Sequence, residues 1–346
     1  MRRERLDAVI VTQLEHVQWL AGPRLAWYFS PAAALRSDGH VTLVVPVAWN
    51  GDAAADETIV YDAQWLCTLR NDQRAASSAA LLAALEREHL GRVGVEFSSC
   101  GPHITAQLQA QLVDIEPALY RLRRNKAPDE LARIQKAIAA TAAMYARARE
   151  IIAPGVSEIE IFSALQAAAV EECGEPLTGT GNDYAVGVPG GPPGRKKAAA
   201  GELYILDLGP AFRGYFADNC RTFAVDREPT ELQQQAWEQV TSVFGMVEAF
   251  VKPGASCREL FSRAKAMLEN DRGWNFFHHL GHGIGLFPHE APHLNPHWDD
   301  HFEEGDVIAV EPGLYGPGLN AGIRIENNYR VTSSGVELLS RLPLEL

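Results

Sequence analysis

Four carboxylates and one histidine lie in stretches of the second half of the chain that otherwise resemble core strands or tight turns. Charged side chains are rarely buried in proteins unless they are paired or bind metal. Carboxylates that converge with an imidazole are typical of a two-metal hydrolytic centre. The five candidate metal ligands are Asp207, Asp218, His282, Glu311 and Glu326.

The first pair of acids flanks a turn. Residues 203–209 form a nearly continuous apolar strand that holds Asp207, and Asp218 follows eleven residues later, beyond a turn at residues 213–214. This spacing across a hairpin can bring the two carboxylates side by side. The alternative is that Asp207 caps a turn and that Asp218 faces solvent.

The second pair repeats this arrangement. The apolar strand within residues 307–313 ends in Glu311 at a Pro-Gly turn. Further on, strand alternation places Arg324 and Glu326 on the same face. The alternative is an Arg–Glu pair at the surface, which the neighbouring isoleucines and valine disfavour.

The candidate histidine, His282, has a glycine on each side, and these glycines allow close approach of the backbone and leave the imidazole accessible. A lone histidine is more often structural, but here five histidines fall within sixteen residues, so we interpret them as a functional cluster. They are His278, His279, His282, His289 and His293.

Residues 289–293 also match the HExxH pattern of zinc peptidases. That pattern needs a helix to place both histidines on one face. Because Pro288, Pro292 and Pro296 disfavour a regular helix, we expect no zinc site of that kind here.

The elements that must position these residues fall into two parts. Alternating short strands and a helix predict an α/β sandwich for the first 120 or so residues. A basic cluster with a proline at 120–128 marks the predicted boundary, which gives domains 1–125 and 126–346. The first part is predicted to have strands at 7–11, 41–46, 58–61 and 93–97 and a helix at 79–89; the second part is predicted to have helices at 129–152, 157–172, 231–251 and 257–268 and a Gly/Pro-rich loop at 179–194.

Composition narrows the class of protein. The chain has 346 residues, of which 47% are hydrophobic and 22% are charged, which is ordinary for a globular protein. A formal net charge of −13 without a basic tract argues against nucleic acid and anionic membranes as partners. We expect no secretory signal and no membrane span. Five scattered cysteines without a CxxC pair suggest reduced thiols and a cytoplasmic location.

Six short motifs together resemble the creatinase/prolidase/aminopeptidase P family, the "pita-bread" metallopeptidases. The resemblance spans residues 126–346 in order, and the N-terminal part is similar to the extra domain of creatinase-like relatives. It implies an α/β (α+β) protein with an N-terminal creatinase-like domain and a C-terminal pita-bread domain. The motifs are Asp207-Leu208-Gly209, residues 218–222 (Asp-Asn-Cys-Arg-Thr), residues 281–285 (Gly-His-Gly-Ile-Gly), His289-Glu290, Glu311-Pro312-Gly313 and residues 323–326 (Ile-Arg-Ile-Glu).

The resemblance also implies roles for the candidate ligands. Asp207 would bind the first metal ion, Asp218 and Glu326 would bridge two ions, and His282 and Glu311 would complete the second position. Glu311 would also act as the general base for a metal-activated water. Oxygen-rich ligation with one imidazole suits Mn²⁺, with Co²⁺ or Zn²⁺ as alternatives.

Three further residues receive roles by the same resemblance. His289 would stabilise the tetrahedral oxyanion or contact substrate, and His278 would be a pocket histidine. Arg324 would orient the ligand network or meet the substrate.

The sequence departs from the family at three places. Family peptidases usually carry a histidine on the loop before the first aspartate, but residues 174–206 contain none, and Asp183 and Tyr184 are the candidate replacements. The best-known prolidases carry an arginine where this chain has residues 299–304 (Asp-Asp-His-Phe-Glu-Glu). Cys220 replaces a usual hydroxyl residue, which affects the hydrogen bonds around the ligands.

The expected function is cleavage of an Xaa-Pro bond in a dipeptide or at the N-terminus of a short peptide, and the departures leave the choice between these two open. One alternative is another reaction on the same metal centre, either C–N hydrolysis or a lyase reaction on a small molecule. Another is a non-catalytic binding protein, although such relatives typically lose metal ligands and this chain keeps all five. Relatives with the extra domain are commonly dimers, so the resemblance also implies a homodimer.

Overall fold

The structure of the chain, a computed structural model, describes residues 1–47, 52–181, 183–226 and 228–346. The chain divides into two units, Met1–Leu122 and Arg123–Leu346. Within the described residues, no helix combines the length and the apolar composition needed to cross a membrane.

A six-stranded mixed sheet organises the first unit, with the strand order β4-β3-β2-β1-β7-β8. Strand β1 pairs antiparallel with β2 and parallel with β7, and apolar clusters cover both faces of the sheet. The elements from the N-terminus are a 3-10 helix Arg2–Glu4, β1 Ala8–Val11, α1 Leu14–Ala21, β2 Ala32–Arg36, β3 Val41–Val45, β4 Glu57–Val60, β5 Gln64–Trp65, β6 Thr68–Leu69, α2 Gln73–Leu85, β7 Arg92–Val95, α3 Pro102–Thr105, β8 Gln111–Asp114 and α4 Glu116–Arg124.

The bounds predicted for the helix of this unit were wrong. The structure places α2 at Gln73–Leu85 rather than at 79–89, because Ser77 and Ser78 pack inward together with Leu81. Residues 86–89 are exposed and follow the end of the helix. The strands predicted in this unit all exist, with ends that differ by one or two residues.

Four long helices flank the strands of the second unit. The helix that follows Ser157 begins with a capping box, because Ser157 Oγ accepts from the Glu160 backbone N–H at 3.4 Å and Glu160 Oε2 accepts from the Ser157 N–H at 2.8 Å. The helices are α5 Pro128–Ile151, α6 Glu158–Cys173, α7 Glu231–Phe250 and α8 Cys257–Leu268, and each lies within two residues of its predicted bounds.

The strands of this unit form antiparallel groups. The largest sheet has the order β14-β13-β15-β18-β19, while β9 pairs with β12. The strands are β9 Leu203–Leu208, β10 Ala211–Phe212, β11 Tyr215–Phe216, β12 Asn219–Ala224, β13 Gly281–Gly283, β14 Glu290–Leu294, β15 Val307–Val310, β16 Gly313–Leu314, β17 Ile323–Arg324, β18 Asn327–Val331 and β19 Val336–Leu338.

Strand β9 is buried along its whole length because two apolar clusters share it. Leu203 and Ile205 pack with residues of α7 and α8, whereas Tyr204 and Leu206 pack with residues of α5 and α6. Strand alternation therefore places Asp207 on the same face as Leu203 and Ile205.

Candidate metal centre

The carboxylate of Asp207 is positioned by a buried strand and a buried arginine. Asp207 is 8% exposed, and its backbone exchanges hydrogen bonds with Asp183 at 3.1 and 3.2 Å. Its Oδ2 accepts a hydrogen bond from Arg324 Nη2 at 2.9 Å. The Asp207 carboxylate therefore pairs with a distant arginine, whereas the alternative was that it caps a turn.

Pairing between β9 and β12 brings the second acid to the first. The register sets Cys220 opposite Asp207, so Asp218, directly before β12, lies beside the end of β9. Asp218 is buried, and the Asn328 side chain holds its backbone by donating from Nδ2 to Asp218 O at 2.5 Å. The predicted convergence of Asp207 and Asp218 is therefore present, although β12 rather than the short strand β11 creates it.

His282 lies at the centre of β13, between two glycines that the packing requires. A Cβ on Gly281 would lie 2.0 Å from Ala309 O, and one on Gly283 would lie 2.2 Å from Ala291 O. Both distances are too short for any other residue, so the two neighbouring strands approach β13 closely. The imidazole Nε2 of His282 lies 3.6 Å from Glu311 Oε1.

The last two acids follow neighbouring segments. Glu311 comes directly after β15, and its N–H donates to Leu280 O at 2.8 Å. Glu326 lies between β17 and β18, and its N–H donates to Cys220 O at 2.9 Å. Backbone hydrogen bonds therefore fix both residues against the strands that carry the other candidates.

All five candidate ligands line one cavity of about 370 Å³. One ligand atom each from Asp218, His282 and Glu326 lies within 4.8 Å of the others, which is a spacing that one cation can span. His278, His289 and Arg324 line the same cavity, so every residue that the family resemblance makes a ligand or gives a catalytic role lies there.

The buried carboxylates fit a divalent metal centre. Three of their oxygens, Asp207 Oδ1, Asp218 Oδ1 and Glu326 Oε2, have no hydrogen-bond partner among the described residues. Burial and the neighbouring acids raise the pKa of Asp218 and Glu326 well above the usual value, and burial raises the pKa of Glu311 to about 8. Cations would relieve both the burial of charge and the mutual repulsion.

Both terminal nitrogens of the Arg324 guanidinium donate hydrogen bonds within the protein. Its Nη2 donates to Asp207 and to Asp183, and its Nη1 donates to Pro189 O at 3.0 Å and to the Tyr315 hydroxyl at 3.2 Å. Arg324 thus orients the first aspartate and links it to the loop around Pro189. Asn182 of that loop lies outside the described residues.

The two candidate replacements for the absent loop histidine differ in position. Asp183 lines the cavity, whereas the buried Tyr184 accepts a hydrogen bond from Gln166 through its hydroxyl at 3.1 Å. Asp183 is therefore the member of this pair that faces the candidate site.

The other histidines separate into two groups. His278 Nε2 hydrogen bonds to the Tyr315 hydroxyl at 2.9 Å, and the ring of His289 stacks on that of His282 with centroids 3.6 Å apart. His293 instead pairs with Asp300 at 2.8 Å and lies outside the cavity lining. Residues 290–294 form strand β14, so His289 and His293 do not share a helix face and the HExxH pattern has no structural meaning here.

Two residues of this region received no role in the sequence analysis. His279 lines the cavity with its Nε2 3.2 Å from Glu311 Oε1. Arg221, which is 1% exposed, donates to the backbone oxygens of Cys220 and Glu326. The histidine cluster was a signal for His279, and the motif at residues 218–222 was a signal for Arg221, although neither residue was given a role.

Sequence comparison decides the family. The pattern of metallopeptidase family M24 matches residues 132–333, more than half of the chain, and the creatinase/prolidase N-terminal domain matches residues 1–124. The chain belongs to metallopeptidase family M24. The expected family, its mixed α/β fold and its enzymatic class are confirmed.

Relatives of this M24 member span nearly its whole length. An uncharacterized peptidase of Staphylococcus saprophyticus is 27% identical over 361 residues, which cover 98% of this chain and 99% of the relative. The crystal structure of the prolidase from Pyrococcus horikoshii OT3 matches with a TM-score of 0.82 at 25% identity, covering 100% of this chain and 97% of that one. The Xaa-Pro dipeptidase from Bacillus anthracis matches with a TM-score of 0.84 at 23% identity, covering 100% and 96%, and this likeness shows the fold.

Proposed function

We propose that this M24 enzyme is a dinuclear-metal hydrolase that cleaves Xaa-Pro peptide bonds. The observation that carries the proposal is the set of three buried carboxylate oxygens without partners in a cavity that also holds His282 and Glu311. Such a set is stable only when cations or protons neutralise it. The likeness to a prolidase supports proline-directed cleavage.

The five candidate ligands would bind two ions. Asp207 would hold the first ion, Asp218 and Glu326 would bridge both, and His282 and Glu311 would hold the second. Bound ions of this kind lower the pKa of a water molecule and polarise the scissile carbonyl. Mn²⁺, Co²⁺ and Zn²⁺ are the candidate metals, because the set combines carboxylates with imidazole.

Two residues of the chain act in the reaction, one on the proton of the attacking water and one on the negative charge of the tetrahedral intermediate. Glu311 accepts the proton of the attacking water and passes it to the leaving nitrogen. Partial burial, together with the neighbouring imidazoles of His279 and His293, lowers the pKa of His289 to about 4, so its ring is neutral near pH 7. A neutral imidazole keeps one N–H, which His289 donates to the oxyanion of the tetrahedral intermediate.

The charges around the cavity support an aminopeptidase rather than a strict dipeptidase. A dipeptide places its C-terminal carboxylate close to the scissile bond and calls for a cation there. Among the described residues that line the cavity, Arg324 is the only arginine or lysine, and it already donates to Asp183 and Asp207. A longer peptide carries its carboxylate farther away and needs no such partner.

The experiment compares three peptides on one metal-stripped and reconstituted sample. Full-length protein with Mn²⁺, Co²⁺ or Zn²⁺ is given Ala-Pro, Ala-Pro-Ala and Ala-Ala-Ala, and the products are separated by chromatography. We expect release of alanine from Ala-Pro-Ala, slower turnover of Ala-Pro and no turnover of Ala-Ala-Ala. Faster turnover of Ala-Pro would instead make the enzyme a dipeptidase. Full metal loading without turnover of any peptide would contradict the proposal and favour another reaction on the same centre.

A further inference from the structure

His279 lines the candidate metal centre but is not one of its five proposed ligands. Its side chain is 28% exposed and lines the cavity between His278 and the buried His282. The imidazole Nε2 lies 3.2 Å from Glu311 Oε1, which is closer than the 3.6 Å of His282 Nε2 to the same oxygen. The position of His279 is therefore at least as close to Glu311 as that of the ligand proposed from the sequence.

The two imidazoles are held in the same way. His279 Nδ1 lies 3.3 Å from Gly281 O, and His282 Nδ1 lies 3.1 Å from Gly283 O. A carbonyl oxygen only accepts hydrogen bonds, so each Nδ1 carries the hydrogen and each Nε2 presents a lone pair. A backbone carbonyl that fixes one ring nitrogen in this manner is the usual support of a metal-binding histidine.

Each Nε2 lies near Glu311 Oε1, at 3.2 Å for His279 and at 3.6 Å for His282, and that oxygen can itself act as an acceptor. Two acceptors at 3.2 Å repel each other unless a proton or a cation lies between them. The ring centroids of His279 and His282 are 5.3 Å apart with planes inclined by 24°, so the two rings are stacked. One nitrogen each of His279, His282 and His289 lies within 4.8 Å of the others.

We propose that His279 is a further metal ligand, which joins His282 and Glu311 at the second metal position and makes that position rich in nitrogen. This inference rests on the proposed dinuclear centre. Imidazole nitrogens favour borderline-soft ions, so the second position selects Co²⁺, Zn²⁺ or Ni²⁺ over Mn²⁺. The Asp207 position, which is made of carboxylate oxygens, keeps no such preference.

Two variants separate ligation from a simple hydrogen bond. His279→Ala removes the imidazole, whereas His279→Gln keeps a donor that can reach Glu311 but is a poor metal ligand. Metal-free protein is titrated with Co²⁺ in competition with a chromophoric chelator, and the visible absorption of bound Co²⁺ is recorded. We expect one of the two Co²⁺ affinities to fall by about ten-fold or more in both variants, together with a changed absorption band. Mn²⁺ affinity should change less.

The matched control is His297→Ala, because His297 is exposed and lies outside the cavity lining. It should bind both Co²⁺ ions like the wild type. Unchanged Co²⁺ affinity and absorption in His279→Gln would overturn the ligand role and leave His279 as a polar neighbour of Glu311. If the wild-type protein itself failed to bind two ions, the proposed function would fail instead, so the two failures are distinguishable.

Discussion

The guanidinium of Arg221 donates a hydrogen bond of 2.7 Å from Nη1 to the backbone oxygen of Glu326. The same nitrogen donates to Cys220 O at 2.8 Å, and Nη2 donates to Asn327 Oδ1 at 2.9 Å. Arg221 therefore ties the chain beside Asp218 to the chain that carries Glu326. Its planar fork serves several acceptors at once, which a lysine cannot do.

Replacing Arg221 should destabilise the protein and disorder the candidate centre. In Arg221→Lys, the backbone oxygens of Cys220 and Glu326 each lose the charged donor that Arg221 supplies, and the loss of such a hydrogen bond costs about 1.5–3 kcal/mol. We expect the free energy of unfolding in urea to fall by about 2–4 kcal/mol, with weaker metal binding. Arg147→Ala is the control, because the Arg147 side chain is 45% exposed and pairs with Glu150 at the surface. A change of similar size in both variants would contradict the role assigned to Arg221.

Glu326 is expected to hold both ions at once. In Glu326→Ala, loss of a shared carboxylate should abolish binding of both ions rather than one. Metal analysis after gel filtration measures this directly, with Glu304→Ala as a control because Glu304 is exposed. Retention of the wild-type stoichiometry in Glu326→Ala would show that this residue does not bridge.

Part of this site could be predicted from the sequence, because the informative residues are close in sequence to the site residues themselves. Asp207 lies within an apolar segment and Glu311 ends one, and a charged residue at such a place has few structural explanations. The glycines around His282 were recognisable as points of close backbone approach. These signals lie within a few residues of the side chains that they concern.

Features that depend on long-range pairing were not predictable in the same way. Strand β2 contains three alanines, which favour strands poorly, and it forms because β1 and β3 pair with it on both sides. The direction of His279 depends on the register that sets Gly281 opposite Val310, directly before Glu311. A single sequence carries no direct record of such a register.

His289 is expected to act on the reaction and not on metal binding. His289→Ala should keep both ions but lower kcat by about 10²–10³-fold, which is the usual effect of losing one oxyanion donor. His293→Ala is the matched control, because His293 is the other histidine of the HExxH pattern and pairs with Asp300 outside the cavity lining. An equal loss of kcat in His293→Ala would contradict the assignment.

Metal uptake should release protons near neutral pH. Burial raises the pKa of Glu311 to about 8, so this carboxyl is largely protonated in the metal-free protein at pH 7. A cation displaces that proton. Calorimetric titration in buffers of different ionisation enthalpy should therefore give apparent binding enthalpies that differ between buffers. Enthalpies that are independent of the buffer would exclude proton release.

The same raised pKa predicts how the stability of metal-free protein depends on pH. Folded Glu311 holds its proton up to about pH 8, whereas the unfolded chain releases it near the ordinary value of 4.5. The stabilisation is therefore complete below pH 4.5 and is lost as pH rises through 8. From pH 6.5 to 8, we expect the free energy of unfolding to fall by about 1–2 kcal/mol for this carboxyl.

Glu311→Gln isolates this contribution because it keeps the shape of the side chain and removes the titration. Histidines with lowered pKa values make the folded protein more stable as pH rises, which is the opposite of the Glu311 effect. Their contribution is confined to pH below about 6.5, where histidines of the unfolded chain gain protons. Chemical denaturation of metal-free wild type and Glu311→Gln at several pH values between 6.5 and 8 measures the difference. Since the variant lacks the titrating group, its stability should fall less steeply. If the free energy of unfolding changed with pH by the same amount in both proteins, the raised pKa of Glu311 would be contradicted. The argument that this buried carboxyl needs a metal ion would then be lost as well.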